Sequence, residues 1–372
     1  MIIGIPKEKK DQEARVGLTP KWVKKLTMQG HTVYIEKGLA HLAGIEDQQY
    51  LDAGAEILPT TEEVYLKSDM IVKLKDYMPS ERNLPFKEGQ IIVCFFHLGE
   101  VEPDQPMVDK LLESKVTGVS LELIQTDTGA RPIIMPMSEI AGRVAVMCAC
   151  QHCMLSDGGA GISLAAISGT QKPKVIILGG GTCGSAAADV VLGLHADVTI
   201  FESQYSRINQ LKDLMPQANL LLWNTDECAE LIKDCDVLIN TIYPYPGMEY
   251  PLITREMVKT MKKKSLIVDL VGCDIIETVK YTTISDPTYV EEGVVHFGID
   301  NLPALVPKTS SDLFASSIYP YVEAIANKGI KQACLDSKEL SRSMSFVGGV
   351  LVHKDIADTH NMDYTPFDTK ML

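Results

Sequence analysis

The stretch that most constrains this chain is Val175-Ile176-Ile177-Leu178 running into Gly179-Gly180-Gly181-Thr182-Cys183-Gly184 and then Ser185-Ala186-Ala187-Ala188. Four aliphatic residues in a row read as a strand buried on both faces, and a glycine turn leading into small residues reads as a closely packed helix. A second strand, Asp197-Val198-Thr199-Ile200-Phe201, follows and ends at Glu202. In a βαβ unit of this form Gly179 makes the tight turn, Gly181 lets a pyrophosphate approach the backbone, and Gly184 lets helix and strand close up. The start of the helix, at Thr182 and Cys183, offers unpaired N–H groups to phosphate. Glu202 lies about twenty residues on, where a carboxylate accepts hydrogen bonds from a ribose 2′-hydroxyl and repels a 2′-phosphate. Strand, turn, helix, strand and acid in this order predict a dinucleotide site that prefers NAD to NADP. The alternative is a glycine turn of no special purpose.

At 372 residues the chain has room for two domains, each with its own core. A hydrophobic content of 45% with 23% charged residues places it among folded globular proteins. The net charge of −14 argues against nucleic acid as a partner, because phosphates reward clustered Lys and Arg. The N-terminus is apolar only to Ile5 before charges begin, too short for a signal peptide, and no apolar run is long enough to span a membrane. The expectation is a soluble, cytoplasmic protein. Nine cysteines, an odd number lying inside expected elements, read as reduced thiols. Cys148, Cys150 and Cys153 with His152 continue an apolar helix, and no second ligand cluster follows, so no metal site is expected.

Strands are expected at Ile2–Ile5, His31–Glu36, Met70–Lys75, Gln90–Phe96 and Thr117–Leu123. Helices fall between them, one with Thr19 as N-cap and Pro20 in its first turn. The polar segment Thr126 to Pro132, with a glycine and a proline and no apolar period, reads as a domain boundary. A helix from Ser138 then bridges the domains. A second series of strands, at Val175, Val198, Leu220, Val237, Leu266 and Val294–Phe297, surrounds the glycine loop. The remainder reads as a helix over Ser311–Asn327 and a terminal helical segment. Alternation of this kind predicts two doubly wound parallel-sheet α/β domains. A Rossmann NAD domain at 132–307 is inserted into a discontinuous catalytic domain, 1–131 and 308–372, with ligands in the cleft between them.

Five positions invite chemistry. Arg15 lies in the loop after the first strand, where a guanidinium can grip a substrate carboxylate, or where it is simply a surface arginine. Lys75 closes the strand from Met70 and shares a face with Lys73, as solvated lysines at strand ends also do. His97 follows a strand apolar on both faces and is either a structural histidine or a carrier of protons at the ligand crevice. Asp269 and Asp274 follow Leu266-Ile267-Val268, where an aspartate either faces the reacting centre or caps a helix.

Five segments in order carry a resemblance. Gly4-Ile5-Pro6-Lys7-Glu8, Glu13-Ala14-Arg15-Val16-Gly17-Leu18-Thr19-Pro20, Met137-Ser138-Glu139-Ile140-Ala141-Gly142-Arg143, the glycine loop, and Asn301-Leu302-Pro303-Ala304-Leu305-Val306-Pro307-Lys308-Thr309-Ser310 together resemble the alanine dehydrogenase family across nearly the whole chain. That resemblance implies an NAD-dependent, reversible oxidative deamination of L-alanine to pyruvate and ammonia by a homo-oligomer, typically a hexamer. By the same resemblance Arg15 binds the substrate carboxylate and Lys75 contacts the carboxylate and the carbonyl oxygen. His97 is the catalytic histidine, Asn301 a substrate-side asparagine and Asp274 the catalytic aspartate. Ser138, Gly179, Gly181, Thr182, Cys183, Gly184, Glu202, Arg207 and Asn224 match positions that contact the cofactor.

The sequence also departs from the family. Val271-Gly272-Cys273-Asp274-Ile275-Ile276-Glu277 stands where the aspartate is usually one residue closer and followed by Gln-Gly-Gly. Leu39 to Gly44 is poorer in glycine than usual, and Ile242 to Gly247 carries extra bulk near the cofactor. The Cys273-Asp274 pair is similar to opine-forming relatives such as carboxyethylornithine synthase and saccharopine dehydrogenase. Reductive condensation of an amino acid with a 2-oxo acid is therefore a second reading, and a non-catalytic NAD-binding regulator a third.

Overall fold

The computed structural model describes residues 1–99, 104–244, 248–271, 275–299 and 301–372. The chain divides into two compact units, 1–136 with 306–372, and 137–305. Each is built on a mostly parallel sheet.

The first stretch contributes β1 (Ile2–Ile5), β2 (Thr32–Glu36), β3 (Glu56–Leu58), β4 (Met70–Val72), β5 (Ile91–Cys94) and β6 (Thr117–Ser120). These run parallel in the order β3-β2-β1-β4-β5-β6. The chain starts in the middle of the sheet, grows to one side and then crosses to the other. Between β1 and β4 the connecting segments therefore part, and this opens a crevice at the carboxyl ends of the strands. β4, β5 and β6 are buried along their whole length, which is why β4 and β5 read as unbroken apolar runs; β6, Thr117-Gly118-Val119-Ser120, is buried through small residues instead.

The second unit repeats the plan with β7 (Lys174–Leu178), β8 (Asp197–Glu202), β9 (Asn219–Leu222), β10 (Val237–Asn240), β11 (Leu266–Asp269), β12 (Thr288–Glu291) and β13 (Val294–Phe297). The order is β9-β8-β7-β10-β11-β13, with the switch between β7 and β10. β12 lies antiparallel on β13 at the edge. Glu292 and Gly293, both in the left-handed region at φ 53° and 79°, make the two-residue turn between them.

From Val306 the chain returns to the first unit through the helix Pro307–Lys328 and two shorter helices. The tail, expected to be helical throughout, instead adds β14 (Met344–Val347) and β15 (Val350–Leu351) before a last helix, Lys354–His360. Gly348 and Gly349, at φ 57° and 89°, form a hairpin turn between two apolar pairs, and β14 extends the sheet antiparallel to β6.

Three expected strands end early. The backbone leaves the ladder after Val72, Cys94 and Ser120, so Lys75, His97 and Glu122 stand in the segments just past the sheet. Lys73 and Lys75 consequently do not share a strand face: the Lys73 side chain is fully buried and that of Lys75 is 15% exposed. The helix expected from Ser138 begins at Ile134, with Pro136 in its first turn, where a missing N–H removes no helical bond. Among the described residues no helix is long and apolar enough to cross a membrane.

Candidate active site

In the first unit Arg15, Lys75 and His97 follow β1, β4 and β5, so all three leave the sheet at its carboxyl edge, on the strands at and beside the switch point. Gly17 presses the Arg15 loop onto β4: a Cβ there would stand 2.8 Å from the Val72 carbonyl oxygen. The Val16 N–H donates to Ser311 Oγ at 3.1 Å, tying the same loop to the helix Pro307–Lys328. Arg15 is not the surface residue its loop allowed. It is 4% exposed, and its Nε and Nη2 donate to Glu13 Oε1 at 2.7 Å and Oε2 at 2.6 Å. A bidentate carboxylate fixes the plane of the guanidinium before any substrate arrives.

Glu8 sets the segment that carries Lys75. Its Oε1 accepts the Leu74 N–H at 2.7 Å, and its Oε2 accepts the Lys75 N–H at 3.3 Å and the Lys73 ammonium at 2.6 Å. Glu81 faces the same ammonium at 3.5 Å. Burial works against the Lys73 charge, but Glu8 and Glu81 outweigh it and hold the lysine pKa above its ordinary value. The Lys75 ammonium itself lies 3.7 Å from Asp76 Oδ1.

His97 adopts φ 52°, in the left-handed region that few non-glycine residues occupy and that only surrounding structure can enforce. Its N–H donates to Glu122 Oε1 at 2.8 Å. Its ring stacks on Phe95, centroids 5.5 Å apart, and Phe95 in turn packs on Phe314.

The second unit gathers the glycine loop, Glu202 and Arg207. Gly179 turns at φ 90°, and a Cβ on Gly184 would fall 1.9 Å from the Gly179 carbonyl oxygen. Gly181 differs: its Cβ would meet nothing within 4 Å, so this is the open face of the loop, just before the helix Thr182–Gly193. Glu202 Oε2 accepts the Gly180 N–H and Oε1 the Gln204 N–H, each at 2.9 Å, which orients the carboxylate at the end of β8. Arg207 clasps the loop, donating from Nε to the Gly180 carbonyl at 2.7 Å and from Nη2 to Ser185 Oγ at 2.8 Å. A cavity of about 650 Å³ lies at the carboxyl ends of β7, β8 and β10, lined by Gly179, Gly181, Glu202, Thr241 and Ile242 among others.

Asn224 sits between two residues of that lining, Trp223 and Thr225, and caps the helix Thr225–Leu231, its Oδ1 accepting the Glu227 N–H at 2.9 Å. Burial pushes the Cys183 thiol up to about 12, so at neutral pH it is no thiolate. Ser138 lies half-buried in the helix Ile134–His152. Asn301 is buried after β13, its carbonyl accepting the Ala304 N–H. Asp269 holds the turn after β11: Oδ2 accepts from Asn240 Nδ2 at 2.8 Å and Oδ1 from the Val271 N–H at 2.9 Å. Asp274, with Cys273, lies outside the described residues. Among the described residues no group of His, Cys, Asp and Glu is arranged to hold a metal ion.

Models of two family domains match this chain, the N-terminal domain of alanine dehydrogenase/PNT over residues 4–141 and its C-terminal domain over 145–354. The chain belongs to the alanine dehydrogenase/PNT family. Similar members are the alanine dehydrogenases of Methanococcus maripaludis, 38% identical over 372 residues, and of Geobacillus stearothermophilus, 37% identical over 369; each alignment covers 98% of both chains. A solved L-alanine dehydrogenase superposes with a TM-score of 0.91 at 34% identity, over 97% of this chain and 99% of that one. A transhydrogenase from Sinorhizobium meliloti shares the fold, with a TM-score of 0.79 at 23% identity.

Within this family fold, Glu8, Lys73, Glu122 and Gly142 hold neighbouring residues in place, a role that the sequence analysis assigns to none of them. Gly142 had a readable signal, a glycine in the interior of an apolar helix, which commonly marks close packing. A Cβ there would lie 2.1 Å from the Cys183 carbonyl oxygen, so its absence lets the helix Ile134–His152 rest on the start of Thr182–Gly193. Gly184 is under the same constraint. Gly184→Ala is expected to destabilise the nucleotide unit by about 1–3 kcal/mol through overpacking and to weaken NADH binding. Calorimetry and a fluorescence titration check this, and an unchanged melting temperature would show that the loop yields without penalty.

Proposed function

We propose that this chain is an NAD-dependent alanine dehydrogenase that interconverts L-alanine with pyruvate and ammonia. In this reading the first unit takes the amino or oxo acid and the second the dinucleotide. Full-length similarity to alanine dehydrogenases carries the reading, and the chemistry of the matched positions supports it.

The glycine loop fits NAD. Its open face at Gly181, the N–H groups opening the helix Thr182–Gly193 and the Glu202 carboxylate suit a pyrophosphate and a ribose diol, and Glu202 disfavours a 2′-phosphate. When bound, NAD supplies the hydride acceptor and NADH the donor. Arg15, its plane fixed by Glu13, holds the substrate carboxylate. Lys75 polarises the carbonyl oxygen, and His97 carries protons as ammonia adds and water leaves. Asn301 and Asp274 are assigned to the substrate side. Ser138, Thr182, Asn224 and the Cys183 backbone are assigned to the cofactor, and Arg207 to shaping the loop. The same reading makes the protein a cytoplasmic homo-oligomer.

NADH oxidation by the purified protein, with pyruvate and ammonium, tests the proposal. We expect turnover with pyruvate and a preference for NADH over NADPH of about tenfold or more, as a carboxylate facing a 2′-phosphate requires. Turnover only when ornithine or lysine replaces ammonium would instead establish the opine-type condensation. Tight NADH binding without turnover on any oxo acid would establish a regulator.

A further inference from the structure

We propose that Glu122 is the positioning residue for His97: one buried carboxylate takes the N–H groups of Phe96 and His97 and thereby aims the imidazole. The inference deepens the reading above and rests on His97 as the carrier of protons. β5 and β6 pair in register to Cys94↔Ser120, where both strands end. The Phe95 N–H is still taken by the Leu74 carbonyl at 3.0 Å, but beyond it the ladder offers no acceptor to the next two donors. Glu122 lies in the single turn Leu121–Leu123 that follows β6, two residues past Ser120, and so comes level with Phe96.

Its two oxygens divide the two donors: Oε2 accepts from Phe96 at 3.2 Å and Oε1 from His97 at 2.8 Å. This fork holds His97 at φ 52°. The ring direction then follows from the backbone, with Phe95 stacked beneath it. Burial raises the Glu122 pKa, while the charge of His97 and the backbone donors pull it down, so carboxylate and imidazole are close enough to feel each other. Glutamine cannot replace the carboxylate: it has one acceptor oxygen, and its NH2 would face one of the two N–H groups. Asparagine can replace His97 without disturbing the backbone, because it tolerates the left-handed region.

The test is a double-mutant cycle on the full chain, in which kcat and KM for pyruvate and for NADH are measured for the parent, Glu122→Gln, His97→Asn and the double variant. Glu122→Gln is expected to lower kcat about 10- to 100-fold, and His97→Asn about 10²- to 10⁴-fold, the range of positioned proton transfer. KM for NADH should stay within about twofold, and the double variant should be within about twofold of His97→Asn alone, because Glu122 acts only through His97. Equal losses from Glu122→Gln in both backgrounds, or none in either, overturn the proposal. Parent-like activity of His97→Asn overturns the underlying reading instead and is recognisable as such. If Glu122→Gln does not fold, Glu122→Asp enters the cycle under the same criteria, and failure of both to fold shows that the carboxylate serves stability.

Discussion

Replacing Lys75 with methionine is expected to lower kcat for pyruvate amination by about 10²–10³-fold, or roughly 3–4 kcal/mol of transition-state stabilisation, the usual loss for one preorganised group facing a developing oxyanion. Methionine matches the lysine stem in reach and polarisability but carries no charge, so little else should change. The backbone of residue 75 is held by Glu8, whose Oε2 accepts its N–H at 3.3 Å, and that bond survives the substitution. The side chain is only 15% exposed, so its charge acts in a poorly screened setting. Steady-state kinetics paired with an NADH titration separate the two halves of the chemistry. We expect unchanged NADH affinity beside the fall in kcat. Undiminished turnover would remove Lys75 from the mechanism and leave it as a half-buried ion-pair partner of Asp76.

How far the sequence could be read depended on whether a position's meaning is local. The glycine loop was legible because each glycine answers to a neighbour a few residues away: the Gly184 Cβ is excluded by the Gly179 carbonyl five residues earlier. His97 was legible as a residue ending a central strand, since β5 is apolar on both faces. Its strained φ was not, because the restraint comes from Glu122, which lies near it only through β5–β6 pairing. The hairpin Met344–Leu351 carries a local signal, Gly348-Gly349 between apolar pairs, but it is short and flanked on both sides by helical segments that mask it. The Glu8–Lys73–Glu81 cluster could not be read at all: three charged residues from separate segments meet only once β1 and β4 lie side by side.

That cluster makes the second large prediction, this one on stability. Lys73→Met leaves Glu8 and Glu81 buried without their cation, and breaking a buried ion pair from one side typically destabilises by about 3–5 kcal/mol. For a unit of about two hundred residues this lowers the melting temperature by about 6–20 °C. The pH dependence follows from burial, which pushes the Glu8 pKa above its ordinary value and, without Lys73, acts with its main counterweight removed. A carboxyl whose folded pKa exceeds its unfolded one stabilises the fold below the unfolded value, and that contribution is lost as pH rises through the folded value. The variant's deficit should therefore shrink on going from about pH 8 to about pH 5, as the Glu8 carboxyl takes up a proton. Adding Glu8→Gln to Lys73→Met should recover part of the loss by removing one stranded charge, even though one backbone acceptor goes with it. Calorimetric scans at both pH values decide the matter. A single variant melting within a degree or two of the parent, or a deficit that widens toward low pH, would mean that Lys73 is not the charge that holds Glu8, and with it the Lys75 segment, in place.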